Sequence, residues 1–230
     1  MDTVIVVAPL FDDVTVYTFD ESRDALDHAK SEGFKVIDLA KENAIREKVE
    51  DALKSNPKAM LYHADHGNEN CIWGNDNRAV VDLNNVDLLS GRESYNNNCS
   101  SAKELGVEAW KRGCLAYWGY IDVFTFTTDA AEEFKEAINF GFKRRLDGLA
   151  WKDCLDKAKQ RMTEIIDSLV ASGRGMAASC LTHDRDCLVC YTPDNAPIEP
   201  SCPVSQFILG LFGMKTLHFL RGIRNSIAMI

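Results

Sequence analysis

The chain has 230 residues, of which 46% are hydrophobic and 27% are charged, and its formal net charge is −9. This size and apolar content suffice for one domain with a sizeable core, alone or with a small addition. The acidic balance argues against nucleic-acid binding as the main function, because phosphate binding needs a basic face. No secretory signal and no membrane span are predicted, so we expect a cytoplasmic protein whose eight cysteines are reduced thiols.

The first part of the chain alternates between strand-like and helix-like segments. Residues 3–8 form a β-branched apolar run typical of a buried strand, and residues 14–19 predict a second short strand. A helix is expected to begin near Asp20 and Ser22 and to end at Gly33. The next predicted elements are a strand over 34–39, a helix over 41–55 and a buried strand over 59–62.

The rest of the chain continues this alternation with more turns between elements. Its predicted elements are a hairpin of 71–73 and 79–83, a helical turn over 86–89, a helix over 102–112, an aromatic-rich strand region over 114–126, helices over 129–148 and 151–169, and a last hairpin of 176–182 and 187–192. Strands alternating with helices predict an α/β fold with a mostly parallel sheet covered on both faces. In such sheets the chemistry lies at the carboxyl ends of the strands.

A histidine and a cysteine both follow strand candidates directly, so both are expected at that edge. Cys99 could serve as a nucleophile, which attacks as its thiolate, and His66 could take the thiol proton near neutral pH. The N–H groups of Gly67 and Cys99 could stabilise the oxyanion that forms. From the spacing alone, a buried inert thiol and an ordinary loop histidine fit equally well.

The residues around this pair resemble a known family. The segment from Leu61 to Gly67 is similar to the strand-then-His-Gly motif of caspase-like cysteine peptidases, and closest to the CHAT branch, where a second histidine three residues earlier is common. Further segments match that branch in order and spacing, and the resemblance covers residues 55–192. These segments are 74–76, 80–83, 86–91, 99–102, 105–106, 109, 113 and 116–120. Gingipains, clostripain and separase are more distant relatives with the same order of histidine and cysteine.

The resemblance implies a caspase-like three-layer sandwich over residues 1–193 that works as a cysteine endopeptidase. It assigns His66 as the catalytic histidine, Cys99 as the nucleophile, and the N–H groups of Gly67 and Cys99 as the oxyanion hole. Asp122 matches the position of an acidic residue that selects Arg or Lys in the S1 pocket. Asp65 and Asn98 are further candidates for substrate contacts. The expected partner is a protein or peptide substrate, and no cofactor or metal is expected.

The polar segment 92–98, directly before Cys99, departs from the buried strand that the family has there. Asn98 also stands where a small residue is usual. These departures leave open an alternative from another class, a caspase-like module without catalysis that binds or regulates a partner. A Cys-His amidotransferase is less favoured, because the sequence lacks a nucleophile elbow motif.

Two other features have open interpretations. A zinc site would use thiols and a histidine near the last predicted hairpin, but Cys187 and Cys190 fall in a predicted strand, where successive odd and even positions face opposite ways. The residues considered for zinc are Cys180, His183, Cys187, Cys190 and Cys202.

Residues 194–230 are predicted to form a linker and a mostly apolar helix that packs on the domain, on a regulatory partner or on a second subunit.

Overall fold

The computed structural model describes residues 2–197 and 227–229, and its centre is a six-stranded, mostly parallel sheet. The spatial order of its strands is β10 (Leu188–Tyr191), β8 (Ala116–Tyr120), β7 (Glu93–Asn97), β3 (Met60–Ala64), β1 (Thr3–Ala8) and β2 (Lys35–Ala40). All neighbouring strands in this sheet are parallel except β10 and β8, which form an antiparallel pair at one edge.

Two small antiparallel sheets flank the central one. The first consists of β4 (Gly67–Asn68), β5 (Cys71–Trp73) and β6 (Ala79–Asp82), which confirms the hairpin predicted over this segment. The second pairs β9 (Thr125–Thr127) with β11 (Ile227–Met229).

Helices cover both faces of the central sheet. Alternate residues of β1 enter two separate hydrophobic clusters: Val4 and Val6 face one cluster, and Ile5 and Val7 face the other. The helices are α1 (Thr15–Ser31), α2 (Arg46–Ser55), α3 (Leu105–Lys111), α4 (Ala131–Leu146), α5 (Trp151–Ala171) and α6 (Gly175–Cys187). The first cluster is closed by α1, α4, α5 and α6, and the second by α2 and α3. This arrangement confirms the predicted α/β class with a mostly parallel sheet.

None of the helices in the described part of the chain has both the length and the apolar character needed to cross a membrane.

The strand predicted over residues 14–19 is wrong, because these residues form the first turns of α1. Two reciprocal hydrogen bonds start the helix. The Thr15 N–H donates to Asp12 Oδ1 at 2.8 Å, and the Asp12 N–H donates to Thr15 Oγ1 at 2.9 Å. Such a box satisfies donors at a helix start, and it outweighs the strand preference of the β-branched residues that follow.

The last predicted hairpin is also wrong in its first half, and the strand region over 114–126 is divided. Residues 176–182 lie in α6, where Ala177, Ala178 and Leu181 are buried on one side at helical spacing. Cys187 ends this helix, so it does not share a strand with Cys190 on β10. In the region 114–126, a loop separates β8 from β9.

Most of the predicted linker and C-terminal helix lies outside the described residues. Residues 227–229 are described, and they form β11. The domain boundary at residue 193 stays a prediction.

The polar side chains of β7 have partners inside the core, which explains how a polar segment forms a central strand. Asn96 Nδ2 donates to the Trp118 carbonyl at 3.0 Å, and Asn97 Nδ2 donates to the Tyr62 hydroxyl at 3.2 Å. Just before the strand, the buried Arg92 guanidinium donates to backbone carbonyls that include Leu53 and Leu88. Buried polar groups that are hydrogen-bonded in this way carry little penalty.

Replacement of Gly141 by Ala tests the packing of α4 on the sheet. A Cβ at this position would lie 2.7 Å from Cζ2 of Trp118 and 3.1 Å from the Tyr95 hydroxyl. We expect Gly141→Ala to lower the free energy of unfolding by about 1–3 kcal/mol in urea denaturation, because overpacking outweighs the better helix propensity of Ala.

The matched control is Gly175→Ala, where a Cβ would meet no heavy atom within 4 Å. This variant is expected to be as stable as the wild type or up to about 1 kcal/mol more stable. Equal effects of the two substitutions would show that the tight contact at Gly141 is not a constraint.

Candidate functional site

Three loops that follow neighbouring parallel strands meet at one edge of the central sheet. β3 lies between β1 and β7, and Ala64 on β3 pairs with Asn97 on β7. His66 and Cys99 each lie two residues beyond this pair. Carboxyl ends of neighbouring parallel strands share an edge, so His66 and Cys99 lie on adjacent loops at that edge.

The loop after β1 contributes an acidic partner for the histidine. His66 Nε2 lies 2.9 Å from Asp12 Oδ2, while Asp12 Oδ1 accepts the Thr15 N–H at the start of α1. Burial alone would raise the pKa of Asp12, but the hydrogen bonds from Thr15 and His66 outweigh it and the pKa is lowered. Asp12 is therefore an anchored carboxylate that fixes the imidazole with Nε2–H toward it and leaves Nδ1 as the basic nitrogen.

The sulfur of Cys99 lies against the backbone of Phe124. The Phe124 N–H donates to Cys99 Sγ at 3.3 Å, and Sγ lies 3.7 Å from the Phe124 carbonyl oxygen. Cys99 is 9% exposed, so the residue is largely covered.

The backbone turns sharply immediately after Cys99. Ser100 has a φ of +56°, and its N–H donates to the Asp122 carbonyl at 3.0 Å. A residue other than glycine in this region is strained and is held there by its surroundings, which is a feature of functional sites. The turn joins the Cys99 loop to the loop that carries Asp122.

Two features of Gly67 suit an oxyanion donor: its position has no room for a side chain, and its N–H points away from the neighbouring strand. A Cβ at this position would lie 2.9 Å from Asn98 Oδ1, so only glycine fits. The Trp73 N–H donates to the His66 carbonyl, which makes these two residues a hydrogen-bonded pair of the β4–β5 ladder. In an antiparallel ladder, hydrogen-bonded pairs alternate with pairs that are not hydrogen-bonded. The next pair, Gly67 with Ile72, is therefore not hydrogen-bonded, and the N–H of Gly67 points away from β5.

Asn98 lies beneath this surface and holds a second histidine. Its Nδ2 lies 3.0 Å from His63 Nδ1, and His63 Nε2 lies 2.8 Å from the Trp73 carbonyl oxygen. Burial lowers the pKa of His63 to about 4, so the ring is neutral and both contacts are satisfied by one tautomer. Asn98 and His63 are fully buried and form the floor below Gly67.

Asp65 is buried and lacks a hydrogen-bond partner for either carboxylate oxygen among the described residues. Burial raises its pKa well above the ordinary value, the nearby backbone of His66 lowers it in part, and the charge of Asp12 raises it further. These effects favour the protonated, uncharged form of the Asp65 carboxyl group inside the fold.

Asp122 is exposed in the loop that follows β8, beside the Cys99 turn. Its Oδ1 accepts the Val123 N–H at 2.8 Å. The structure thus brings His66, Gly67, Cys99 and Asp122 to one edge of the sheet. Of the other predicted substrate contacts, Asp65 and Asn98 lie below that edge and are not exposed.

The sequence reasoning missed Asp12. A signal was present, because Phe11-Asp12-Asp13 follows the first buried strand directly and so lies at the edge that carries the chemistry. Because a strand was predicted over residues 14–19, the start of α1, which positions this carboxylate, was not predicted.

No protein-family model, no curated protein and no solved structure matches this chain.

Replacement of Asp65 by Asn tests the buried neutral carboxyl group. Because the folded-state pKa of Asp65 is raised, the contribution of this group to stability is fully present below the unfolded pKa, about 3.9, and is lost as the pH rises through the folded pKa. The amide does not titrate, so the stability of Asp65→Asn relative to wild type should increase between pH 4.5 and pH 8, by about 1–3 kcal/mol in urea unfolding.

The exposed neighbour Asp13 provides the control, and Asp13→Asn should show no such increase. A difference between Asp65→Asn and wild type that is constant with pH would contradict the burial of a neutral acid at this position.

Proposed function

We propose that this chain is a caspase-like cysteine endopeptidase in which Cys99 is the nucleophile, His66 is the general base and acid, and Asp12 positions His66. One observation carries the proposal. His66 and Cys99 each follow by two residues the paired positions Ala64 and Asn97 of two adjacent parallel strands, and Asp12 is hydrogen-bonded to the His66 imidazole. A nucleophile, a base and a group that orients the base are the parts that acyl transfer needs.

In the first half of the reaction, His66 Nδ1 takes the proton of the Cys99 thiol, and the sulfur attacks the carbonyl carbon of the scissile peptide bond. The carbonyl oxygen becomes an oxyanion, toward which the N–H groups of Gly67 and Cys99 donate. Collapse of this intermediate breaks the C–N bond. His66 gives its proton to the leaving amine, and a thioester to Cys99 remains.

In the second half, water hydrolyses the thioester. His66 Nδ1 takes a proton from water as its oxygen attacks the thioester carbon, and the proton then returns to the sulfur when the C–S bond breaks. Asp12 accepts the Nε2–H throughout and stabilises the imidazolium that forms in both halves. The net reaction consumes one water and one peptide bond and yields a carboxylic acid and an amine.

Asp122 supports a preference for substrates with Arg or Lys at P1. Its carboxylate is exposed beside the turn after Cys99, and its backbone is fixed there by the Ser100 N–H. A guanidinium or ammonium group of the substrate would form a charge-assisted hydrogen bond with this carboxylate. The net charge of −9 also favours the approach of basic peptides.

The caspase-like assignment of the fold rests on the motifs and on the sheet. The residues that resemble the His-Gly motif follow β3, the residues that resemble the nucleophile motif follow β7, and these strands are neighbours. The order of the central sheet, with parallel strands and one antiparallel strand at its edge, agrees with a three-layer sandwich.

A second candidate function is a caspase-like module that binds a partner without catalysis. One observation favours it: Cys99 is 9% exposed and its sulfur lies against the Phe124 backbone, so a peptide carbonyl has little access to it. Such a module would need no reactive thiolate, whereas a peptidase does.

Cleavage of a fluorogenic peptide library that varies at P1 tests the proposal. We expect hydrolysis by the reduced wild-type protein, strongest after Arg and Lys. Cys99→Ala should abolish activity, and His66→Ala should lower kcat/KM by about 10²–10⁴-fold, since general base catalysis is lost. Asp122→Asn should reduce cleavage after Arg by roughly 10- to 100-fold while cleavage after uncharged residues persists.

Cys71→Ala is the matched control, since this buried thiol lies on β5 outside the proposed mechanism, and it should keep full activity. Activity that survives in Cys99→Ala would exclude Cys99 as the nucleophile. An absence of cleavage by the wild type, together with an unreactive Cys99 thiol, would favour the binding module.

A further inference from the structure

Three side chains of the types that bind metals lie together between the loop that follows β8 and the C-terminal half of α6. The carboxylate of Asp122, the imidazole of His183 and the thiol of Cys187 place one ligand atom each within 4.8 Å of the others. Asp122 is exposed, and the other two are half-buried. Carboxylate oxygen, imidazole nitrogen and thiolate sulfur are the three ligand types that zinc takes from proteins.

The two ligands on α6 lie close enough to share one ion. His183 and Cys187 are four residues apart, so both side chains lie on one face of the helix. Cys187 Sγ lies 3.9 Å from His183 Nδ1 and 3.6 Å from His183 Nε2. Bond lengths of about 2.3 Å to sulfur and about 2.0–2.1 Å to nitrogen, at a tetrahedral angle, place these two atoms about 3.6 Å apart.

A hydrogen bond to the backbone determines which nitrogen of His183 is available to bind the ion. His183 Nε2 lies 3.0 Å from the Val123 carbonyl oxygen, so Nε2 carries the proton and donates it there. The lone pair is then on Nδ1. Histidines that bind metals almost always donate their other ring N–H to a carbonyl or carboxylate in this way.

We propose that Asp122, His183 and Cys187 bind one Zn²⁺ ion through Oδ, Nδ1 and Sγ, with the fourth position open to water. The Cys187 thiol proton is released to solvent when the ion binds. Cys180 and Cys190, which the sequence pattern had grouped with these residues, are buried and are not part of this group, and Cys202 lies outside the described residues.

The proposed metal site adjoins the candidate active site. Residues 121–124 link the two: the Ile121 N–H donates to the Cys187 carbonyl, and the Phe124 N–H donates to Cys99 Sγ. An ion bound to Asp122 would occupy the carboxylate proposed to select basic substrates, so zinc should inhibit cleavage after Arg and Lys. This inhibition rests on the proposed function, whereas metal binding does not.

Titration with Co²⁺ as a spectroscopic substitute for Zn²⁺ tests the site in the full chain. Cys99→Ala is used as the background, so that the dyad cannot supply the thiolate. We expect one equivalent of Co²⁺ to bind with a thiolate-to-metal charge-transfer absorption and to be displaced by Zn²⁺. In that background Cys187→Ser should abolish this absorption. His183→Gln and the exposed Asp122→Asn should each weaken binding at least about 10-fold.

Cys180→Ser, a thiol on the same helix, is the matched control and should bind Co²⁺ as the background does. Circular dichroism confirms that each variant is folded, and Asp122→Asn, on the surface, provides a test that does not disturb the helix. An absence of thiolate-to-metal absorption, its persistence in Cys187→Ser, or its appearance only when Cys99 is present would overturn the proposal. These results are independent of peptidase activity.

Discussion

The parallel pairing of β3 with β7, in the register that sets Ala64 opposite Asn97, is the constraint on which the candidate site depends. It brings His66 and Cys99 to the same height at one edge of the sheet. A shift of one residue would turn every side chain of the strand to the other face and would separate the two groups. β1, on the other side of β3, adds Asp12 at the same edge.

The polar groups below this edge hold its shape at some cost in stability. Asn98 and His63 form a buried floor that excludes any side chain at position 67, and Ser100 is held at a positive φ. Asp65 is buried without a hydrogen-bond partner among the described residues. Several unfavourable local arrangements within a few residues of a candidate nucleophile are typical of a preorganised site, because such strain persists only where the surrounding structure holds it.

Local patterns in the sequence predicted the α/β class, the hairpin of residues 71–83 and the position of His66, because apolar runs and the residues at their ends carry that information. One helix start and one long-range contact were not predicted, for different reasons. The start of α1 depends on a side-chain box between Asp12 and Thr15, which outweighs the β-branched residues that follow. The approach of Asp122 to His183, 61 residues later, depends on how α6 packs and has no local signal.

The rate at which iodoacetamide alkylates Cys99 between pH 5 and pH 9, followed by mass spectrometry, tests the central claim most directly. A Cys99 thiol paired with His66 should react near neutral pH at least about 10-fold faster than the same thiol in His66→Ala. Asp12→Asn should fall between them, because the imidazole loses its anchor. Cys114, whose pKa is raised to about 12 by burial, is the unreactive internal reference. Equal rates in wild type and His66→Ala would contradict the dyad.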